Sequence, residues 1–220
     1  MNFNRGIFKN EKVLVTGHTG FKGSWLITWL SIMGAKVYGI SNNIPTNPSI
    51  YETLKLSLDI KDIRLNIQDS KLIIKTIEEI KPKFIFHLAA QPIVKRSYDQ
   101  TIETYLTNTI GSVNILEGLR KLKNNCIAIL ITSDKVYDNK EWVWGYREFD
   151  KIGGQDPYSA SKGCAELVIS SYFRSFFKDS ENIQIAIGRA GNVIGGGDWA
   201  DNRIIPDCIK AWERKEEVKI

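Results

Sequence analysis

Three clusters in this chain, two of them at the end of an apolar run, carry residue types that could do chemistry. The first is Gly17, Gly20 and Gly23, spaced G-x-x-G-x-x-G directly after Val13-Leu14-Val15. In such a turn one glycine makes the tight bend and a second lets a pyrophosphate approach the backbone. The third lets the next helix lie close to the strand. That helix would aim its unpaired N–H groups and positive dipole end at the anion. Plain strand-to-helix turns use glycine as well, so the triplet alone leaves both readings open. The second cluster is Thr132-Ser133-Asp134-Lys135-Val136-Tyr137, a hydroxyl, a carboxylate and an ammonium directly after the apolar residues 127–131. The third is Tyr158 with Lys162. If Tyr158 opens a helix, Lys162 lies one turn later on the same face. A nearby ammonium stabilises phenolate and lowers a tyrosine pKa from about 10 toward the range of a working base.

These clusters need a frame, and the apolar pattern supplies one. Residues 12–16, 36–40, 84–88, 127–131 and 183–187 read as buried strands, with a shorter one at 62–65. Between them run helical patterns. One follows the glycine turn with Trp25, Leu26, Trp29, Leu30 and Met33 as its apolar positions. A second starts at an Asp69 cap and ends before Pro82, and a long one covers 102–122. Residues 45–59 read as a loop. Alternating strands and helices predict an α/β fold, a doubly wound parallel sheet with helices on both faces. Ligands of such sheets bind at the carboxyl ends of the strands, where the first two clusters fall. The strand ending at Leu88 is followed by Ala89 and Ala90, small residues that would let a flat ring approach. The second strand ends in Ser41-Asn42-Asn43, without the carboxylate that often holds a ribose, so it does not separate NAD from NADP.

Composition narrows the class. The chain has 220 residues, 43% of them hydrophobic, enough for one domain with part of another. No apolar run reaches the ~18 residues of a membrane span, and residues 1–10 carry no signal-peptide core. The net charge of +5 is spread along the chain, which suits an anionic ligand and gives no nucleic-acid stripe. Cys126, Cys164 and Cys208 are widely spaced, as expected of reduced thiols in a cytoplasmic protein. His18 and His87 suggest no metal site.

Together the glycine turn, Ser133 and Tyr158-x-x-x-Lys162 resemble the extended short-chain dehydrogenase/reductase family, in its nucleotide-sugar-modifying branch. Further stretches carry the likeness along the chain: 16–26, 132–138, 141–148 with its Trp-Val-Trp-Gly-Tyr, 156–167 and 188–199. The resemblance implies a Rossmann domain over 1–190 that binds NAD, and over 191–220 the start of a smaller, incomplete substrate lobe. It implies CDP-glucose as substrate, oxidised at C4, dehydrated across C5 and C6, and reduced at C6. Tyr158 would be the base at the 4-hydroxyl, Ser133 its hydrogen-bonding partner, and Lys162 the holder of the ribose. Asp134 would be the acid at the leaving oxygen and Lys135 the base at C5. Cofactor contacts would come from Gly17, Thr19, Gly20, Phe21, Lys22, Gly23, Leu88, Ala89, Ala90, Tyr158 and Lys162. Gln91, Asn192 and Arg203 would meet the substrate, and Asn108 would orient the active-site strands. A homo-oligomer is implied for the full-length form. Because the chain stops at Ile220, where the substrate lobe is still being built, a truncated form is expected that binds NAD but turns substrate over poorly. An epimerase on the same scaffold, or a binding-only dinucleotide protein, are the competing expectations. The acid–base pair after Ser133 argues against the first, and the presence of Tyr158 and Lys162 against the second.

Overall fold

The computed structural model describes residues 6–56 and 60–218. The last three residues of the expected loop at 45–59, and the chain ends, lie outside them. Six strands form one sheet: β1 (Lys12–Thr16), β2 (Lys36–Ser41), β3 (Lys61–Arg64), β4 (Phe84–His87), β5 (Cys126–Ser133) and β6 (Ile183–Ala190). Their order is β3-β2-β1-β4-β5-β6, and every pairing is parallel. The chain reverses its direction of growth between β1 and β4, which opens a crevice above their carboxyl ends. This is the doubly wound sheet that the apolar pattern predicts.

Alternation along β1 divides the core. Val13 and Val15 point to one face and pack with Ile27, Leu30, Val37 and Tyr51. Leu14 points to the other, joining Ile73, Ile77, Ile115, Leu116 and Ile169. The first face is covered by α1 (Phe21–Ile32) and α2 (Ile50–Thr53). The second is covered by α3 (Ser70–Ile80), α6 (Gly111–Lys121) and α7 (Pro157–Tyr172). Short helices α4 (Val94–Asp99) and α5 (Thr101–Tyr105) precede α6, and α8 (Ile204–Glu213) follows the sheet.

Several elements differ from the sequence reading. The loop expected at 45–59 contains α2, a single turn capped by Ser49, whose side chain accepts from the Glu52 N–H. The helix after the glycine turn buries Gly23, Ser24, Ile27 and Leu30, while Trp25 and Trp29 stand half exposed. The cause is Gly23: a Cβ there would lie 2.1 Å from the Gly17 carbonyl oxygen, so the glycine face must be the inner one. Asp69 caps α3 as expected, accepting from Leu72 N. The long helix expected at 102–122 forms, but residues 106–110 widen into a π turn. Both β5 and β6 run further than their apolar cores, so Ser133 is the last residue of a strand and pairs with Ala190. Among the described residues no helix is long and apolar enough to cross a membrane.

Candidate active site

The glycine turn is built as its spacing requires. Gly17 takes a φ of +74°, and a Cβ there would meet the Ala89 backbone nitrogen at 2.7 Å. Gly17 and Gly23 are thus demanded by the protein's own backbone. Gly20 is not: a Cβ would touch only the Gly17 oxygen, at 3.4 Å. It caps the N-terminus of α1 with no side-chain hydrogen bond and faces a cavity of about 540 Å³. Absence of a side chain there serves whatever enters that cavity.

All of Gly17, Thr19, Gly20, Phe21, Lys22, Gly23, Leu88, Ala89, Ala90, Tyr158 and Lys162 line this one cavity. Ser41, Asn42 and Asn43 at the end of β2 line it too, and so do Asp198 and Arg203. Two buried polar atoms in its wall, Ser41 Oγ and Arg203 Nε, have no hydrogen-bond partner among the described residues. Such atoms are costly to leave unpaired and mark where a polar ligand would bond. Burial and the nearby Arg203 guanidinium hold Lys22 below the usual lysine range, with Asp198 opposing. A helix N-terminus, two cations and an open glycine edge thus line one wall of the cavity, the kind of donor set that suits an anion.

Asp156 opens α7, accepting from Ser159 N at 3.0 Å, and Pro157 occupies the first turn where its missing N–H costs nothing. That start sets Tyr158 and Lys162 on one buried face. Lys162 donates to the Ile131 carbonyl at 3.2 Å; burial, with Lys22 adding to it, lowers its pKa to about 8. Burial raises the Tyr158 phenol, while hydrogen bonding with Ser133 and the Arg203 charge pull it back down. The tyrosine therefore stands above its ordinary value, where the Tyr-x-x-x-Lys spacing predicts one below it: burial sets the direction, and the groups that oppose it are Ser133 and Arg203, not the Lys162 ammonium.

Ser133, Asp134 and Lys135 stand beside the cavity. Ser133 Oγ donates to Asp134 Oδ1 at 3.1 Å and accepts from Lys135 N at 3.2 Å. Lys135 Nζ donates to Asp134 Oδ1 and to Asn192 Oδ1, each at 3.1 Å. The expected acid, base and Asn192 thus form one half-exposed chain at the ends of β5 and β6.

Two expected residues work inside the protein. Asn108, in the π turn, accepts from Gln91 N at 2.8 Å and donates to Gln91 O and, at 2.9 Å, to Ser161 Oγ. It ties the segment after β4 to α7. Gln91, read as a substrate contact, instead turns inward. Its amide donates to Ile93 O and Thr104 Oγ1, and its oxygen accepts from Ile93 N, which uses up its polar atoms. Behind β1 a buried chain runs from Thr16 Oγ1 to His87 Nδ1 at 2.7 Å, and from His87 Nε2 to Ser112 Oγ at 3.2 Å. Arg203 is among the residues the sequence names, Ser41 could be suspected from its strand-end position, and nothing in the sequence marks His87 as part of this buried chain.

Comparison with known proteins places this arrangement. The family model described as GDP-mannose 4,6 dehydratase matches residues 14–217. CDP-glucose 4,6-dehydratase of Salmonella typhimurium is 49% identical over 98% of this chain and 61% of its own length. dTDP-D-glucose 4,6-dehydratase of Dictyostelium discoideum is 29% identical over 90% of this chain and 47% of its own. The chain therefore spans roughly half to three fifths of these relatives. Among solved structures, UDP-glucose 4-epimerase of Thermotoga maritima aligns with a TM-score of 0.82 at 23% identity, over 95% of this chain and 65% of that one. dTDP-glucose 4,6-dehydratase of Bacillus anthracis, in complex with NAD, aligns at 0.77 and 22%, over 94% and 63%. At those identities the likeness shows the shared fold.

Proposed function

The chain belongs to the GDP-mannose 4,6 dehydratase family, and from that premise we propose that it takes part in the NAD-dependent dehydration of CDP-glucose to CDP-4-keto-6-deoxyglucose. The observation carrying this reading is the Ser133–Asp134–Lys135–Asn192 chain set against Tyr158. An oxidase or epimerase acting at C4 needs the tyrosine and serine. Only elimination across C5 and C6 also needs an acid and a base on the same strand end. The 49% identity to the Salmonella enzyme supports CDP-glucose as the sugar nucleotide.

The cavity residues fit a dinucleotide. Gly20 and the uncapped start of α1 suit its pyrophosphate, Ser41 Oγ a ribose hydroxyl, and Ala89 and Ala90 a flat ring. NAD, when bound, supplies the acceptor for the C4 hydride and the donor that returns it at C6. Tyr158, as phenolate, would remove the proton from the 4-hydroxyl while Ser133 hydrogen-bonds the same oxygen. Lys162 would hold the ribose as its ammonium. The C4 ketone acidifies the C5 hydrogen, which Lys135 would take and give back to C5 when hydride adds at C6, and Asp134 would protonate the departing C6 oxygen. Arg203, with its unpaired Nε, is suited to a diphosphate oxygen. Asn192, which holds Lys135, would act at the substrate edge. Residues 1–190 would form the NAD-binding part and 191–220 the start of the substrate-binding part, in a cytoplasmic pathway of deoxysugar synthesis.

Incubation with NAD and, in parallel, the CDP, dTDP, UDP and GDP forms of glucose tests the assignment. A 4-keto product from CDP-glucose, formed faster than from the other three, is the expected result. Conversion of CDP-glucose to its C4 epimer would overturn it.

A further inference from the structure

Glu166 lies on α7 one turn beyond Lys162, and its side chain is 1% exposed. Its Oε1 accepts from Thr132 Oγ1 at 2.6 Å and from Arg189 Nε at 2.8 Å, and its Oε2 from Arg189 Nη2 at 2.5 Å. Arg189, on β6, has a third nitrogen to spare. Nη1 donates to the Tyr137 hydroxyl at 2.8 Å and to the Glu148 carbonyl at 2.9 Å, and the guanidinium lies 4.7 Å from the centre of the Tyr137 ring. A carboxylate this buried persists only when its acceptor positions are filled, and here all the bonds come from the ends of β5 and β6. The pair thus joins the helix that carries Tyr158 and Lys162, the strand that ends in Ser133, and the segment that follows Lys135.

We propose that Glu166 and Arg189 are positioning residues for the reaction proposed above, fixing the inner face of α7 against the Thr132–Ser133 end of β5 so that Ser133, Tyr158 and Lys162 keep one mutual arrangement. The inference rests on the reading of Lys162 as a cofactor contact. Lys162 is faced by Lys22 from α1, by His87 from β4, and by Tyr158 and Glu166 on its own helix. Burial and Lys22 disfavour its charged form, and the Glu166 carboxylate favours it. A pair that merely glued the fold together would alter stability and, in the charge-conserving Arg189→Lys, leave the cofactor affinity of folded protein untouched.

Two variants separate the roles. Glu166→Gln keeps the shape and an acceptor for Thr132 while removing the charge. Arg189→Lys keeps the charge, but one ammonium cannot hold both carboxylate oxygens together with Tyr137 and Glu148. Two readouts are taken on protein whose circular dichroism matches the parent: the Lys162 titration midpoint, by NMR of isotopically labelled lysines, and NAD affinity from pH 7 to 10. In Glu166→Gln the midpoint should fall by about one unit, and NAD affinity at pH 8 by about fivefold. Arg189→Lys should weaken NAD by about fivefold at pH 7 and 8 alike, with the midpoint unmoved. Parental midpoint and affinity in Glu166→Gln, or parental affinity in Arg189→Lys, would overturn the proposal. If Glu166→Gln fails to fold, Arg189→Lys alone decides. A parent protein that does not bind NAD would refute the reading of the cofactor site instead, while NMR of the labelled lysines in Arg189→Lys would still show whether the Lys162 environment keeps its parental arrangement.

Discussion

The Lys135 ammonium donates both of its side-chain hydrogen bonds, to Asp134 and Asn192. To serve as the base at C5 it must give up a proton, and Asp134 must hold one to serve as the acid. Both roles coexist only when the pair is singly protonated. In Lys135→Ala, transfer of hydride from C4 should survive, so that reduced cofactor accumulates, and exchange of the C5 hydrogen with deuterated solvent should stop. Continued exchange at the parent rate would shift the role to another group, such as Tyr137 or an ordered water. Gly20 permits a simpler test. A Cβ at that position meets no backbone closer than 3.4 Å, so Gly20→Val should keep the fold yet block the approach of a pyrophosphate. A calorimetric titration should show NAD binding lost, and unchanged affinity would refute the assignment. At this scale the sequence was legible where chemistry imposes short spacing: glycines three apart, a tyrosine and lysine one turn apart, a serine at a strand end. Gln91 misled because its neighbours in sequence are cavity residues, while its amide is spent on Ile93 and Thr104. Glu166 and Arg189 are 23 residues apart and leave no local mark.

The π turn at 106–110 is the element that no periodicity revealed, since its apolar positions continue those of the helices on either side. It rotates Asn108 inward, where one side chain holds both backbone polar groups of Gln91 and reaches Ser161. Asn108→Ala would leave the buried Gln91 N–H without its acceptor, a loss of about 2 kcal/mol readable in the denaturant midpoint. An unchanged midpoint would mean that the clamp is not needed to tie β4 to α7. The strand beside it carries a second buried device. Burial holds His87 at about 3 instead of 6.5, so it stays neutral between Thr16 and Ser112. As the pH falls from about 6.5 toward 3, the unfolded chain takes up a proton that the folded chain refuses. The stability present above 6.5 is therefore lost by up to about 1.4 kcal/mol per unit from this group. His87→Gln should show a shallower decline of the melting temperature between pH 6.5 and 5. Parallel declines in the two proteins would remove His87 from the account.

At the scale of the whole molecule, one sheet with a single reversal of strand order brings residues from 17 to 203 around one crevice. That much was legible, because each buried strand is a short apolar run and each helix an intervening periodic one. The packing of α1 was not: Trp25 and Trp29 fit an apolar period, yet Gly23 dictates which face meets the sheet. Nor did the sequence show that residues 198–203 close over the cavity beside the glycine turn. The central claim is that hydride leaves C4 and returns at C6 of the same sugar, with water lost between. CDP-glucose carrying deuterium at C4, incubated with NAD and protein in stoichiometric excess, tests this within a single turnover. The account predicts a 4-keto-6-deoxy product with the deuterium on C6. Deuterium retained at C4 of an epimerised sugar, or released to solvent, would contradict it.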